Sequence, residues 1–304
     1  MAATEDVDVI IIGGGPAGLS AALIAGRARR RVVVIDRGSP RHAVSAGVHN
    51  FLTQDGTPPA ELRRIAWAQM AAYPNVTQHR ATVTGLRRED ERWIADCGEA
   101  VTVRGRAVLL AMGVQDALPD WPGFSEKWGA SVHLCPYCHG WELQDQPLAT
   151  TGHGEDIAHF GPTLHQWSKD IVVIAGDEPL SPETVATLER LEIRIHPAAV
   201  VALEGPGQTL TALRLSDGSR LGRTGLFIKT HQRQVPLVRD LGLEMSPLPH
   251  NADGLVVVDS YQRTSAPMMW AAGDLTTPFH QVLHAAAAGS TAGAMINAAL
   301  SGVL

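Results

Sequence analysis

The chain has 304 residues, 45 % of them apolar, and 25 basic against 31 acidic residues give a formal charge of −6. That length and apolar content suit one large or two medium domains with proper cores and exclude a disordered chain, while the acidic balance argues against a nucleic-acid or anionic-membrane binder. Three cysteines are too few, and odd in number, for a secreted disulfide framework, so a reducing compartment is expected.

Residues 7–26 are mostly apolar, but Asp8 interrupts the start of the run and three consecutive glycines with Pro16 break its middle, which argues against a membrane span. Glu5, Asp6 and Asp8 stand where a signal peptide needs basic residues, so a cytoplasmic protein is expected. Residues 7–12 read as a buried parallel strand. It leads into Gly13-Gly14-Gly15-Pro16-Ala17-Gly18, a helical segment over 19–30 and a second buried run, 31–36, ending in Asp36. This is a complete βαβ unit with a dinucleotide fingerprint. Gly13 permits the turn, Gly15 admits a pyrophosphate to the backbone, Gly18 lets the helix pack close, and Asp36 stands where an acid accepts from an adenosine ribose.

A helix is predicted from Thr57 as N-cap, with Leu62, Ile65, Ala66 and Met70 on its apolar face. Residues 76–105 alternate as in a small antiparallel layer and hold Cys97, read as a structural thiol; 107–111 is another buried strand. Pro119, Pro122 and Gly123 mark a hinge. A second strand-turn-helix follows at 148–158, with a further strand at 171–175. The chain turns polar and irregular over 230–236, then gives strands at 255–258 and 268–272, Gly273-Asp274 and an alanine-rich terminal helix. The pattern predicts an α/β protein of two Rossmann-like three-layer domains. A discontinuous first domain covers 1–116 and 231–304, and a central domain over 117–230 is inserted into it.

Cys135-Pro136-Tyr137-Cys138 opens that central domain. A zinc hook would need a second ligand pair at a distance, and His133 and His139 lie too near in sequence to supply it, so no metal is assigned. The redox reading is favoured: two thiols at this spacing close a disulfide without chain rearrangement, and a neighbouring imidazole moves the proton that thiolate chemistry requires. His139 is the nearest candidate.

These motifs, in this order, resemble the low-molecular-weight thioredoxin reductase family of flavoproteins: GGGPAG at 13–18, LLAMG at 109–113 followed by Pro122-Gly123, the Cys-x-x-Cys, and Ala272-Gly273-Asp274. The resemblance implies the thioredoxin reductase fold, a homodimer, and FAD in the discontinuous domain. The implied FAD site comprises Gly13, Gly15, Pro16, Ala17, Asp36, Arg37, Arg41, His42, Asn50, Val83, Ala111, Met112, Gly113, Gly273, Asp274, Gln281 and Val282. Within it Asp274 meets the ribityl or phosphate, Gln281 and Val282 the isoalloxazine ring, and Arg37, Arg41 and His42 the adenosine phosphate.

Two departures from the reductases are informative. Those proteins carry an acid after the second cysteine, where this chain has His139. They also carry a full NADPH fingerprint followed by a basic cluster. Here the matching stretches are Gly152-His153-Gly154-Glu155-Asp156 and Ala175-Gly176-Asp177-Glu178, whose acids would repel a phosphate. Both departures resemble the gliotoxin and holomycin dithiol oxidases. That branch implies oxidation of a small dithiol in antibiotic biosynthesis: a substrate thiolate attacks Cys135, the second resolves the mixed disulfide, and Cys138 passes the electrons to the flavin and on to oxygen, giving hydrogen peroxide. His139 is the expected base and His280 the second candidate; Tyr137 and Trp141 are candidates for the dithiol cleft. Two other readings stay open, a reductase fed by NADH, NADPH or ferredoxin and a non-catalytic flavin redox sensor.

Overall fold

The computed structural model describes residues 3–98, 101–152, 154–176, 179–249 and 251–304. His153, Asp177 and Glu178 of the degenerate motifs lie outside the described residues, as does the side chain of Glu155. The chain divides into two compact units: Met1–Ala43, Asn50–Asp116 and Gln232–Leu304 form one, Val44–His49 and Ala117–His231 the other. The short segment Val44–His49 thus goes with the second unit.

The first unit is built on a sheet in the order Val76–His79, Val32–Ile35, Ala3–Ile12, Val101–Leu110, Arg92–Asp96, Gly85–Glu89. Its first four strands run parallel and the last two turn antiparallel, while Met269–Ala271 pairs in parallel with the far end of Val101–Leu110. Alternate residues of the central strands enter two cores. Val9, Ile11, Val32, Val34 and Leu109 pack with the helices Pro16–Arg27 and Val282–Leu300, whereas Ile10, Ile12, Val33, Ile35, Val108 and Leu110 pack with Val83, Trp93 and Val114. Burial on both faces is why these strands read as unbroken apolar runs. The two helices approach closely because Gly289 and Gly293 lie against Ala17 and Ala21; a Cβ at Gly289 would overlap the Ala17 carbonyl.

Two expectations are corrected in this unit. The helix read from Thr57 begins at Pro59, with Pro58 rather than Thr57 at the N-cap, because the Thr57 hydroxyl donates to Gln54 Oε1. The stretch expected to be irregular contains a strand, His231–Gln234, in a four-stranded sheet with Met245–Leu248, Asn251–Val256 and Val114–Ala117. Its inward side chains are polar: Gln234 is fully buried, and its Nε2 donates to the carbonyls of Gly254 and Leu275 at 2.9 and 3.2 Å.

The second unit has an all-parallel sheet in the order Arg194–His196, Ile171–Ile174, Leu148–Thr151, Gly225–Ile228, Val132–His133. The helices Gly154–Leu164 and Pro182–Arg190 pack on it through Ile157, Leu164 and Leu188. An antiparallel sheet, Val200–Glu204, Ala212–Leu215 and Arg220–Gly222, shares the core on the other side. Among the described residues no helix is long and apolar enough to cross a membrane.

Candidate functional site

In the first unit the strand Ala3–Ile12 delivers the chain to the glycine turn. Gly13 has φ +110°, and a Cβ there would run into the Ala111 carbonyl, so only glycine lets the turn lie against 111–113. A Cβ at Gly14 would sit 2.8 Å from Asp36 Oδ2. At Gly15 it would meet nothing within 4 Å, so the turn is open on that side. The helix Pro16–Arg27 that follows has no side-chain cap and no acid in its first turn, leaving its N-terminal N–H groups and positive dipole end for an external anion. Beside the turn lies a cavity of about 260 Å³ lined in part by Pro16, Leu19, His42, Arg63 and Val282.

The residues expected around that turn all belong to this unit. Ala111, Met112 and Gly113 follow the strand Val101–Leu110, Val83 is buried against the same core, and Asn50 holds a left-handed turn with φ +62°. Gly273 and Asp274 follow the strand Met269–Ala271; Gln281 is the N-cap of the last helix and Val282 its first residue. Arg37 is exposed. Asp36 directly follows the strand Val32–Ile35 and is paired with Arg63, a residue the sequence reading missed because the two lie on separate elements 27 positions apart.

Arg41, expected at the adenosine phosphate, is held by acids and a histidine of its own unit. Its guanidinium binds both oxygens of Asp116 at 2.6 and 2.7 Å, Asp274 Oδ2 at 3.2 Å and His280 Nδ1 at 2.9 Å. Burial works against its charge, but Asp116 and then Asp274 more than offset that, holding the pKa above its ordinary value. His280 therefore accepts through Nδ1, which places its proton on Nε2. Burial chiefly pushes the His280 imidazole pKa down, and it does the same to His42. The Nε2 atoms of His42 and His280 and Arg63 Nε are buried with no hydrogen-bond partner among the described residues. An uncapped helix N-terminus, an open glycine turn and the unsatisfied N–H groups of Arg63 and His280 fit an anionic dinucleotide in this unit.

The second unit holds the cysteines. The edge strand Val132–His133 feeds Leu134 and then the one-turn helix Pro136–His139, with Cys135 as its N-cap. Cys135 and Cys138 form a disulfide, Cα–Cα 5.3 Å, and the Cys138 N–H donates to Cys135 Sγ at 3.1 Å. His139 stacks on His133 with centroids 4.2 Å apart, and His133 in turn leans on Phe227 of the neighbouring strand. Burial, then the neighbouring His139, pushes His133 down to about 3, so it is neutral in the working range. Burial also lowers His139, with Glu142 opposing and His49 adding to the effect. Tyr137 and Trp141 are exposed beside the loop, the former edge-on to Trp167. Cys97 lies in the other unit, half-buried against its core.

At the degenerate glycine motif the first turn of Gly154–Leu164 already holds a carboxylate. Asp156 is buried against Gly152 and pairs with Lys229 at 3.4 Å. A carboxylate in that turn stands where the helix's positive dipole end favours a negative charge.

A family model described as pyridine nucleotide-disulphide oxidoreductase matches residues 7–291. Among curated proteins the chain is similar to thioredoxin reductase tcpT of Claviceps purpurea, 33 % identical over 99 % of this chain and 96 % of that one. It is also similar to thioredoxin reductase sirT of Leptosphaeria maculans, 30 % identical over 95 % of this chain and 93 % of that one. Among solved structures, HlmI superposes with a TM-score of 0.92 and 33 % identity, covering 100 % of this chain and 96 % of that one.

Proposed function

The chain belongs to the pyridine nucleotide-disulphide oxidoreductase family, and from that premise we propose that it is an FAD-dependent dithiol oxidase that closes an intramolecular disulfide in a small dithiol and yields hydrogen peroxide. It is a flavin-dependent thiol/disulfide oxidoreductase of the thioredoxin reductase-like kind. The observation that carries the finer reading is the Cys135–Cys138 disulfide followed directly by the half-buried imidazole of His139. A carboxylic acid in that place serves to protonate a departing thiolate, as reduction requires; an imidazole accepts a thiol proton, as oxidation requires. Asp156 at the second helix N-terminus favours this reading over a reductase fed by NADH or NADPH.

On this reading His139 takes the proton of one substrate thiol, and that sulfur attacks Cys135 Sγ. The enzyme S–S bond breaks and Cys138 leaves as thiolate. The second substrate sulfur, deprotonated in turn, attacks the substrate sulfur of the mixed disulfide, so the substrate S–S bond forms and Cys135 leaves as thiolate. The Cys138 N–H aimed at Cys135 Sγ stabilises that departing charge. Two electrons have entered the cysteine pair and two protons have been released. FAD, when bound, supplies the two-electron acceptor between the cysteine pair and oxygen, which takes up two protons to become hydrogen peroxide. The uncapped helix at Gly15 and Pro16 suits its pyrophosphate, and Asp36, Asp274, Gln281 and Val282 complete the proposed site. The protein is then a cytoplasmic homodimer acting on a biosynthetic dithiol.

The test is anaerobic spectrophotometry of the FAD-loaded enzyme. A small dithiol is expected to bleach the flavin, NADH and NADPH to leave it oxidised, and admission of air to give one peroxide per disulfide formed. Rapid bleaching by either nucleotide would return the protein to the reductases, and no oxygen uptake with dithiols would make it a redox sensor.

A further inference from the structure

His139 belongs to a second constellation. The loop residue His49 and the exposed Glu142, three positions after His139, converge on the same side chain within the second unit. His49 Nε2 lies 3.4 Å from Glu142 Oε1, and the rings of His49 and His139 meet edge to face at 6.0 Å. One ligand atom from each of the three lies within 4.8 Å of the other two. Nitrogen and oxygen ligands around a tetrahedral zinc ion, at about 2.0–2.2 Å from the metal, stand about 3.3 Å apart. The His49–Glu142 pair is already at that spacing. The third ligand atom lies within 4.8 Å of that pair, and Glu142 is exposed enough to turn toward the two imidazoles.

We propose that His49, His139 and Glu142 form a zinc(II) site that shares its imidazole with the disulfide loop. Two imidazoles and a carboxylate match zinc rather than magnesium or calcium, which favour all-oxygen shells. Neutral imidazoles with one carboxylate leave the bound ion a net positive charge and an open fourth position, suited to hydroxide or a thiolate. Bound zinc uses the imidazole lone pair of His139, so an occupied site has no base beside Cys138. That consequence rests on the role given to His139 above; the binding does not.

Tag-free, FAD-loaded enzyme with its disulfide intact is stripped with EDTA, desalted and dialysed against zinc sulfate. One zinc per chain is expected, with affinity weakened at least about tenfold by His49→Ala or Glu142→Gln and unchanged by Cys97→Ser. Mass spectrometry after diethylpyrocarbonate treatment is expected to show His49 and His139 protected by zinc and the exposed His284 not. No binding at millimolar zinc, binding indifferent to both substitutions, or unprotected His49 and His139 at saturation would each overturn the site. If zinc binds as expected but the enzyme oxidises no dithiol, the proposed function fails while the site stands.

Discussion

His133 lies nearly flat against His139, ring centroids 4.2 Å apart and planes 26° from parallel. Because His133 is buried and neutral, it gives His139 a packing face rather than a charge. His133→Phe keeps that face and is expected to retain most dithiol turnover. His139→Phe keeps the shape but removes the base, and is expected to lower kcat about 10²–10⁴-fold with the disulfide and flavin spectrum intact. Equal losses in the two variants would show that position 139 acts only by packing.

The Cys138 N–H donates to Cys135 Sγ. In a Cys97→Ser background, Cys138→Ser leaves Cys135 with that donor, while Cys135→Ser leaves Cys138 without it. A hydrogen bond to a charged atom is worth about 1.5–3 kcal/mol, so Cys135 in the first variant is expected to react with Ellman's reagent about threefold faster at neutral pH, its larger thiolate fraction partly offset by the lower nucleophilicity of a more stable thiolate. Both variants are expected to lose all dithiol turnover and keep their flavin. Equal thiol reactivity would remove the structural distinction between attacked and departing sulfur.

What was legible in the sequence is what its contiguous residues encode. The first βαβ unit and the closed Cys135–Cys138 pair were readable because strand, turn, helix and acid, or thiol and thiol, follow one another at fixed short spacing. The strand His231–Gln234 was not, since its inward residues are the glutamines Gln232 and Gln234, and Gln234 Nε2 donates to backbone carbonyls 20 and 41 positions away. Arg63, Asp116, His49 and Glu142 were missed for a related reason. Arg63, Asp116 and His49 each depend on a partner on another element, Asp36, Arg41 or His139, and no spacing rule joins them; Glu142 stands three positions after His139, but its partner His49 comes from a distant segment.

Asp156 is expected to act as a built-in substitute for a phosphate. Asp156→Ala removes a buried partner of Lys229, which is itself partly exposed, so a loss of about 1–3 kcal/mol in urea unfolding is expected. Asp156→Gly is expected to cost similar stability without giving detectable NADPH binding by calorimetry. Unchanged stability in both would mean that the pair contributes nothing to the helix terminus.

Gly289 links packing to the cofactor. A methyl group there overlaps the Ala17 carbonyl, so Gly289→Ala must push apart the last helix and the helix after the glycine turn. Overpacking of this kind costs about 1–3 kcal/mol, and the displaced elements carry Gln281, Val282, Pro16 and Ala17. The variant is expected to purify with less flavin per chain and a lower thermal midpoint, while Ala287→Gly, on an exposed turn of the same helix, is expected to lose stability without losing flavin. Full flavin content in Gly289→Ala would separate the helix contact from the site.

The histidines of the first unit add to the acid sensitivity that His133 and His139 bring in the second. In the folded chain burial holds His280 and His42 below the ordinary 6.5, to which both return on unfolding. Below 6.5 the unfolded chain therefore binds more protons than the folded one. The stability these groups contribute is complete above that pH and is lost as pH falls through it toward the folded values. Each contributes a slope of at most about 1.4 kcal/mol per pH unit. In EDTA-containing buffers the urea midpoint is expected to hold steady from about pH 8 to 7 and to decline from about pH 6.5 to 5. His280→Gln leaves an oxygen acceptor for Arg41 but nothing to titrate, so its midpoint is expected to decline less steeply. The same slope in wild type and variant would show that His280 takes up no proton on unfolding, and that its hydrogen bond to Arg41 does not set the acid limit of this unit.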